Sequence, residues 1–138
     1  EKLPTFYKMD VEGHEVKVIR GMRETAKRSP SGTKIIIEVH PQFFGKTLCF
    51  ESELRAMVDI GFRFKYVISA AIAQPKMFKD RGYNPKRVYK SSGWYRGVYD
   101  DISTEDAIYF CSESHQEYVP QRKKTTQKIV RAIMLEKS

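Results

Sequence analysis

Cysteine is almost absent from this sequence. Cys49 and Cys111 stand far apart with no CxxC spacing, which rules out a disulfide framework and a zinc knuckle and leaves two reduced, space-filling thiols. Long apolar runs are missing too: nothing approaches the roughly 18 consecutive apolar residues of a spanning helix. No charged, apolar, small-residue sequence marks a signal peptide. The expectation is a protein with no membrane span and a cytoplasmic address. Glycine is sparse, and no two or three glycines are arranged as GxGxG, so the sequence carries no turn of the kind that cradles a dinucleotide. Internal repeats and low-complexity tracts are absent. So is an initiator methionine: the chain opens EKLPTFY and reaches strand-like residues within five positions, which predicts a piece cut from a longer protein.

What is present is enough for one α/β domain. The 138 residues, 41% of them hydrophobic, suffice to bury a core. The net charge of +8 is spread over both halves, so the whole surface should attract anions, whether phosphorylated substrates, nucleic acid or acidic lipid.

In chain order, Phe6 to Asp10 reads as a strand that ends on a carboxylate. Val16, Ile19, Met22 and Ala26 then share one face of a helix that stops at Ser29-Pro30-Ser31-Gly32. Lys34 to His40, with Ile35, Ile36, Ile37 and Val39, is nearly continuous in apolar residues, the pattern of a central parallel strand. A second helix runs from Glu51 to Ile60 and a third strand from Phe62 to Ile68. Residues 70–104 read as a long basic, aromatic insert covering a substrate, with at most a turn or two of helix near Lys76 to Arg81. Ala107 to Cys111 reads as a fourth strand. The spacing of Ile129, Val130, Ile133 and Met134, with Lys128 and Arg131 around them, predicts a basic amphipathic helix over 125–136.

The compound pattern Lys8-Met9-Asp10-Val11-Glu12-Gly13-His14-Glu15, then Ile19-Arg20-Gly21, then IIIEVHP ending at Pro41, resembles the FkbM family of S-adenosylmethionine-dependent methyltransferases. His14 departs from it, standing where the family usually has a small residue. The resemblance implies a partial Rossmann-like class I methyltransferase sheet with flanking helices. This chain would supply strands 4-5-7-6, the last antiparallel, as the C-terminal, acceptor-side half of the domain (1–138). It implies S-adenosylmethionine as cofactor, bound chiefly by a first half ahead of Glu1. No cofactor-binding residue is therefore assigned here.

Methyl transfer from a sulfonium needs a group that orients the acceptor hydroxyl and takes its proton. Asp10, at the end of its strand, can do this, or can cap the following helix. Glu12 can hold substrate hydroxyls or sit in the first helical turn. Asp10 and Glu12 are the catalytic candidates, with His14, Glu38 and His40 as substrate-binding candidates. Glu38, a carboxylate inside an apolar strand, must have a partner. The spacing of Asp10, Glu38 and His40 carries no metal signature, and no metal is predicted. The function implied is O-methyl transfer to a hydroxylated, carbohydrate-like acceptor, a small molecule or glycan. The alternative is a non-catalytic module that binds nucleic acid or another polyanion through the insert, where seven cations interleave with six aromatics. If a first half is missing, the edge of the first strand is unpaired and self-association is expected.

Overall fold

Phe6–Met9 forms β1 and Glu15–Arg28 forms α1. The turn between them needs left-handed backbone twice, at Glu12 (φ 44°) and Gly13 (φ 99°). A side chain at Gly13 would also put its Cβ 2.6 Å from that of Phe43, so only glycine fits. α1 ends as Ser29 turns extended ahead of Pro30. Lys34–Glu38 forms β2, parallel to β1 in register Phe6 to Lys34 through Met9 to Ile37. Phe50–Asp59 (α2) and Phe62–Ser69 (β3) follow. The computed structural model describes residues 2–138.

Two expected elements are corrected. The AIYFC run is not a strand but the body of α4, Thr104–Ser112. Ser103 caps it by accepting from the Asp106 amide at 3.2 Å, and Glu105 and Asp106 occupy its first turn, where helix amide dipoles favour anions. The tail is not a helix over 125–136. It forms a short strand β7, Lys124–Thr126, paired with β6, Glu117–Val119, and then β8, Val130–Lys137. β8 lies between β2 and β3, antiparallel to both. A strand buried inside a sheet loses the strict alternation that marks a half-exposed one, and its apolar run then mimics helical spacing.

The insert is also more regular than its sequence suggests. A short helix α3, Lys76–Asp80, lies where a turn or two of helix is expected. Beyond it, the expected covering loop is instead a hairpin, β4 (Arg87–Ser91) and β5 (Trp94–Tyr99), that extends the sheet. The hairpin turns on Ser92 and Gly93, both at positive φ, as two-residue loops require.

The sheet order is β1-β2-β8-β3-β5-β4, with β1 at one edge; β1 and β2 are its parallel pair and the other pairings are antiparallel. One face supplies Ile35, Ile37, Ile133 and Leu135 to a core shared with Val16 and Ile19 of α1, Leu54 and Met57 of α2, and Ile108 and Phe110 of α4. The alternate positions, among them Ile36, Tyr66, Ile68 and Met134, are half-buried and line a shallow depression of about 490 Å³.

α1 and α2 are clamped by Glu53, buried on α2, which accepts from Arg20 Nε at 2.9 Å and from Arg23. Arg23→Ala would leave one oxygen of a buried carboxylate without its donor. The expected cost is about 1–3 kcal/mol, read as a lower urea midpoint. Lys17→Ala, on the exposed side of the same helix, should change stability by no more than about 0.5 kcal/mol.

Candidate active site

The strand directions bring the chain's chemistry to one edge of the sheet. The C-terminal ends of β1, β2 and β3 and the N-terminal end of β8 lie together there, and β5 runs past the end of β3 toward its own N-terminus, as the pairings of Met9 with Ile37, Glu38 with Ala132, Ser69 with Val130 and Ile68 with Val98 require. Open α/β sheets bind ligands at this edge.

Three of the five candidates meet. Asp10, Glu38 and His40 offer ligand atoms that all lie within 4.8 Å of one another. Asp10 is exposed and is not a cap: α1 begins five residues later, at Glu15, and its N-cap is His14, which makes no side-chain capping bond. Among the described residues the Asp10 carboxylate has no hydrogen-bond or ion-pair partner, so it is free to act on a ligand. Glu38 has the partner its position demands, Arg131, whose Nη2 donates to Oε1 at 3.3 Å. Two carboxylates and an imidazole at these separations can surround one hydroxyl group. The same separations suit one hard divalent cation, although Arg131 already supplies Glu38 with positive charge.

His40 is buried and its orientation is set from behind. Its Nδ1 lies 2.6 Å from Oε1 of Glu15, a residue with no solvent exposure. A carboxylate can only accept, so Nδ1 carries the hydrogen and Nε2 is left as the nitrogen able to take a proton. Glu15 Oε1 also accepts from the Gly13 amide at 3.1 Å, which ties the turn after β1 to the end of β2. The other oxygen, Oε2, is buried without a partner among the described residues. Phe43 stacks on His40 with ring centroids 6.2 Å apart.

Glu12 and His14 stand apart from this cluster. Both are exposed on the turn; His14 Nδ1 lies 3.2 Å from the Val11 carbonyl. Glu12 is held in left-handed backbone, a conformation that costs a non-glycine residue of order 1–3 kcal/mol and concentrates at functional turns.

Several residues at this edge are not evident from sequence patterning. Glu15 reads there as a helix-start anion, yet it orients His40. Arg131 and Lys128 read as the polar side of a helix, yet Arg131 contacts Glu38 and Lys128 Nζ donates to the Val39 carbonyl at 3.0 Å. The demand of Glu38 for a partner is readable; the identity of that partner, 93 positions away, is not.

The aromatics of the insert divide between core and surface. Phe78 and Tyr99 have no solvent exposure and meet edge to face at 4.9 Å, and the Tyr83 hydroxyl donates to Asp106 at 2.6 Å. The Trp94 ring already carries Arg122 and Lys124 at 4.4 and 5.1 Å. Tyr89 and Tyr95 stay exposed, with Lys90 Nζ 5.5 Å from the Tyr95 ring centroid, and these two are the rings left for the stacking that single-stranded nucleic acid uses. No helix among the described residues is long and apolar enough to cross a membrane.

The profile of the methyltransferase FkbM domain matches residues 1–84, more than half of the chain. No curated protein matches the sequence, and no solved structure does.

Proposed function

The chain belongs to the FkbM methyltransferase family, and from that premise we propose that it forms the acceptor-side half of a domain that transfers a methyl group from S-adenosylmethionine to a hydroxyl of a carbohydrate-like acceptor. The observation that carries this reading is the convergence of Asp10, Glu38 and His40 within 4.8 Å at the strand-end edge. Asp10 orients the acceptor hydroxyl and draws off its proton as the new bond forms. His40, held by Glu15, is the nearest further proton acceptor, and Glu38 and Glu12 hold neighbouring hydroxyls. His14 is a further donor on the exposed turn.

The sheet order supports the assignment. β8 lies antiparallel between β2 and β3, the place that a class I methyltransferase reserves for its last strand in the order 4-5-7-6. β1 presents a free edge to which the cofactor-binding strands would pair.

The donor supplies an electrophilic methyl group next to a sulfonium cation, which a carboxylate at the end of β1 favours by charge. Phe43 packs against the turn after β1, so that turn has no room for a nucleoside. This chain is therefore assigned the acceptor's side of the reaction alone. The test is methyl transfer by the full-length protein from labelled S-adenosylmethionine to a panel of hydroxylated glycans. Label on an acceptor oxygen is the expected result; a protein that binds neither donor nor acceptor would end the reading.

A further inference from the structure

Arg131, the partner of Glu38, also lines a cavity of about 300 Å³ whose walls include Trp94, Arg96, Lys124, Thr126 and Lys128. Its lining holds four cations and no carboxylate. Arg96 is 5% exposed: one of its amino groups donates to the Ala70 carbonyl, but its Nε is buried without a partner among the described residues. A buried guanidinium N–H left unpaired is costly, and a ligand that reached it would recover that cost. Burial and the nearby Arg131 hold the pKa of Arg96 below the usual guanidinium range. The same two causes, with Arg96 itself, depress that of Lys128. Positive charge has thus been concentrated where water is partly excluded, and the carboxylate that offsets it, Glu38, lies outside the lining and is shared with Arg131.

We propose that this cavity binds a tetrahedral oxyanion, a phosphate or sulfate ester carried by the acceptor. The fork of a guanidinium presents parallel donors at the spacing of two such oxygens. Lys128 and Lys124 add point charges, and the Thr125 hydroxyl adds an uncharged donor, while that of Thr126 already donates to the Lys128 carbonyl at 3.3 Å. The Arg131 contact with Glu38 joins the cavity to the three-residue cluster. An ester group seated on Arg96 would therefore lie in the cavity that Arg131 lines, and Arg131 also contacts Glu38, a member with Asp10 of that cluster. The identification of the ligand as an acceptor rests on the methyltransferase reading; the anion site itself does not.

Calorimetric titration of the chain with inorganic phosphate, and separately with inorganic sulfate, tests this without any methyl donor. One ion of either kind should bind per chain. Lys128→Met and Arg131→Met should each weaken binding by about tenfold or more, while Lys128→Arg should retain it and show that charge rather than folding was lost. Lys27→Met removes an exposed charge at the C-terminal end of α1, away from the cavity, and should leave binding unchanged. A hexose phosphate and a hexose sulfate should bind more tightly than the neutral hexose, and the better of the two names the source of the group. Failure of both inorganic ions to bind, an equal loss in Lys27→Met, or preference for a hexuronate would each overturn the assignment. So would binding of single-stranded RNA at this site without binding of the small phosphates. Intact anion binding in a protein that transfers no methyl group would count against the methyltransferase reading and leave the cavity's assignment standing.

Discussion

Asp10→Asn in the full-length protein is expected to lower methyl-transfer turnover by roughly a hundredfold to ten-thousandfold, the range lost with a general base. That corresponds to about 3–5 kcal/mol of transition-state stabilisation. The substitution keeps the shape of the side chain and removes its charge and its capacity to take a proton. The fold should not register the change, because Asp10 is exposed and caps nothing; a surface replacement of this kind alters stability by about 0.5 kcal/mol or less. Donor affinity should change far less than turnover. The measurement is steady-state turnover together with donor binding on the same preparation. Unchanged turnover would move the proton-accepting role to His40, whose Nε2 is the alternative that the Glu15 contact creates. The three groups lie close enough to act as a unit. Single substitutions at Asp10 and His40 should therefore not add when combined.

How far the sequence foretells this site depends on whether a residue's role is set locally. The β1–α1–β2 stretch is legible because each of its signals is short-ranged: the acid ending β1, the glycine at φ 99°, the apolar face of α1 and the isoleucine run of β2. The same holds for Glu38, whose burial within an apolar strand announces a partner. Legibility fails where neighbours far along the chain decide. The tail at 130–137 carries an apolar run compatible with either period. What makes it a strand is the slot between β2 and β3, open to any segment able to pair on both sides.

Ala107 to Cys111 departs from its expected strand for a different reason. There the local signal is present, since Ser103, Glu105 and Asp106 spell a helix start, but a five-residue apolar run weighs equally as a strand. Ser92-Gly93 was likewise a readable hairpin turn between β-prone runs. The cation cavity was not readable at all. Arg96 comes from β5 while Lys128 and Arg131 flank the start of β8, and only the register of β8 and β5 about β3 brings them together.

That register depends on Gly97, and Gly97→Ala is expected to cost about 3 kcal/mol or more. Its backbone is not left-handed, so the requirement for glycine is one of space. A Cβ there would be driven into the Ala73 carbonyl oxygen and would lie 3.0 Å from both Pro85 and Tyr99. The carbonyl cannot yield cheaply, because it accepts from the Tyr99 hydroxyl at 2.7 Å and from the Ser69 hydroxyl at 3.3 Å. Both donors are fully buried, and burial pushes the Tyr99 pKa up, which keeps its hydroxyl a donor. Ser69 Oγ in turn accepts from the Gly97 amide at 2.8 Å. One methyl group would therefore strain three buried polar contacts that hold β5 against the end of β3, and would displace Arg96, the next residue, from the cavity. Urea unfolding should show a markedly lower midpoint, and residual folded protein should bind phosphate more weakly. Gly21→Ala supplies the contrast: Gly21 is an exposed position in α1 with nothing within 4 Å of a new Cβ. Relief of unfolded-state entropy should there raise stability by about 0.5–1 kcal/mol. Equal effects of the two alanines would show that the Ala73 carbonyl gives way, and that the packing of β5 on β3 is looser than these contacts imply.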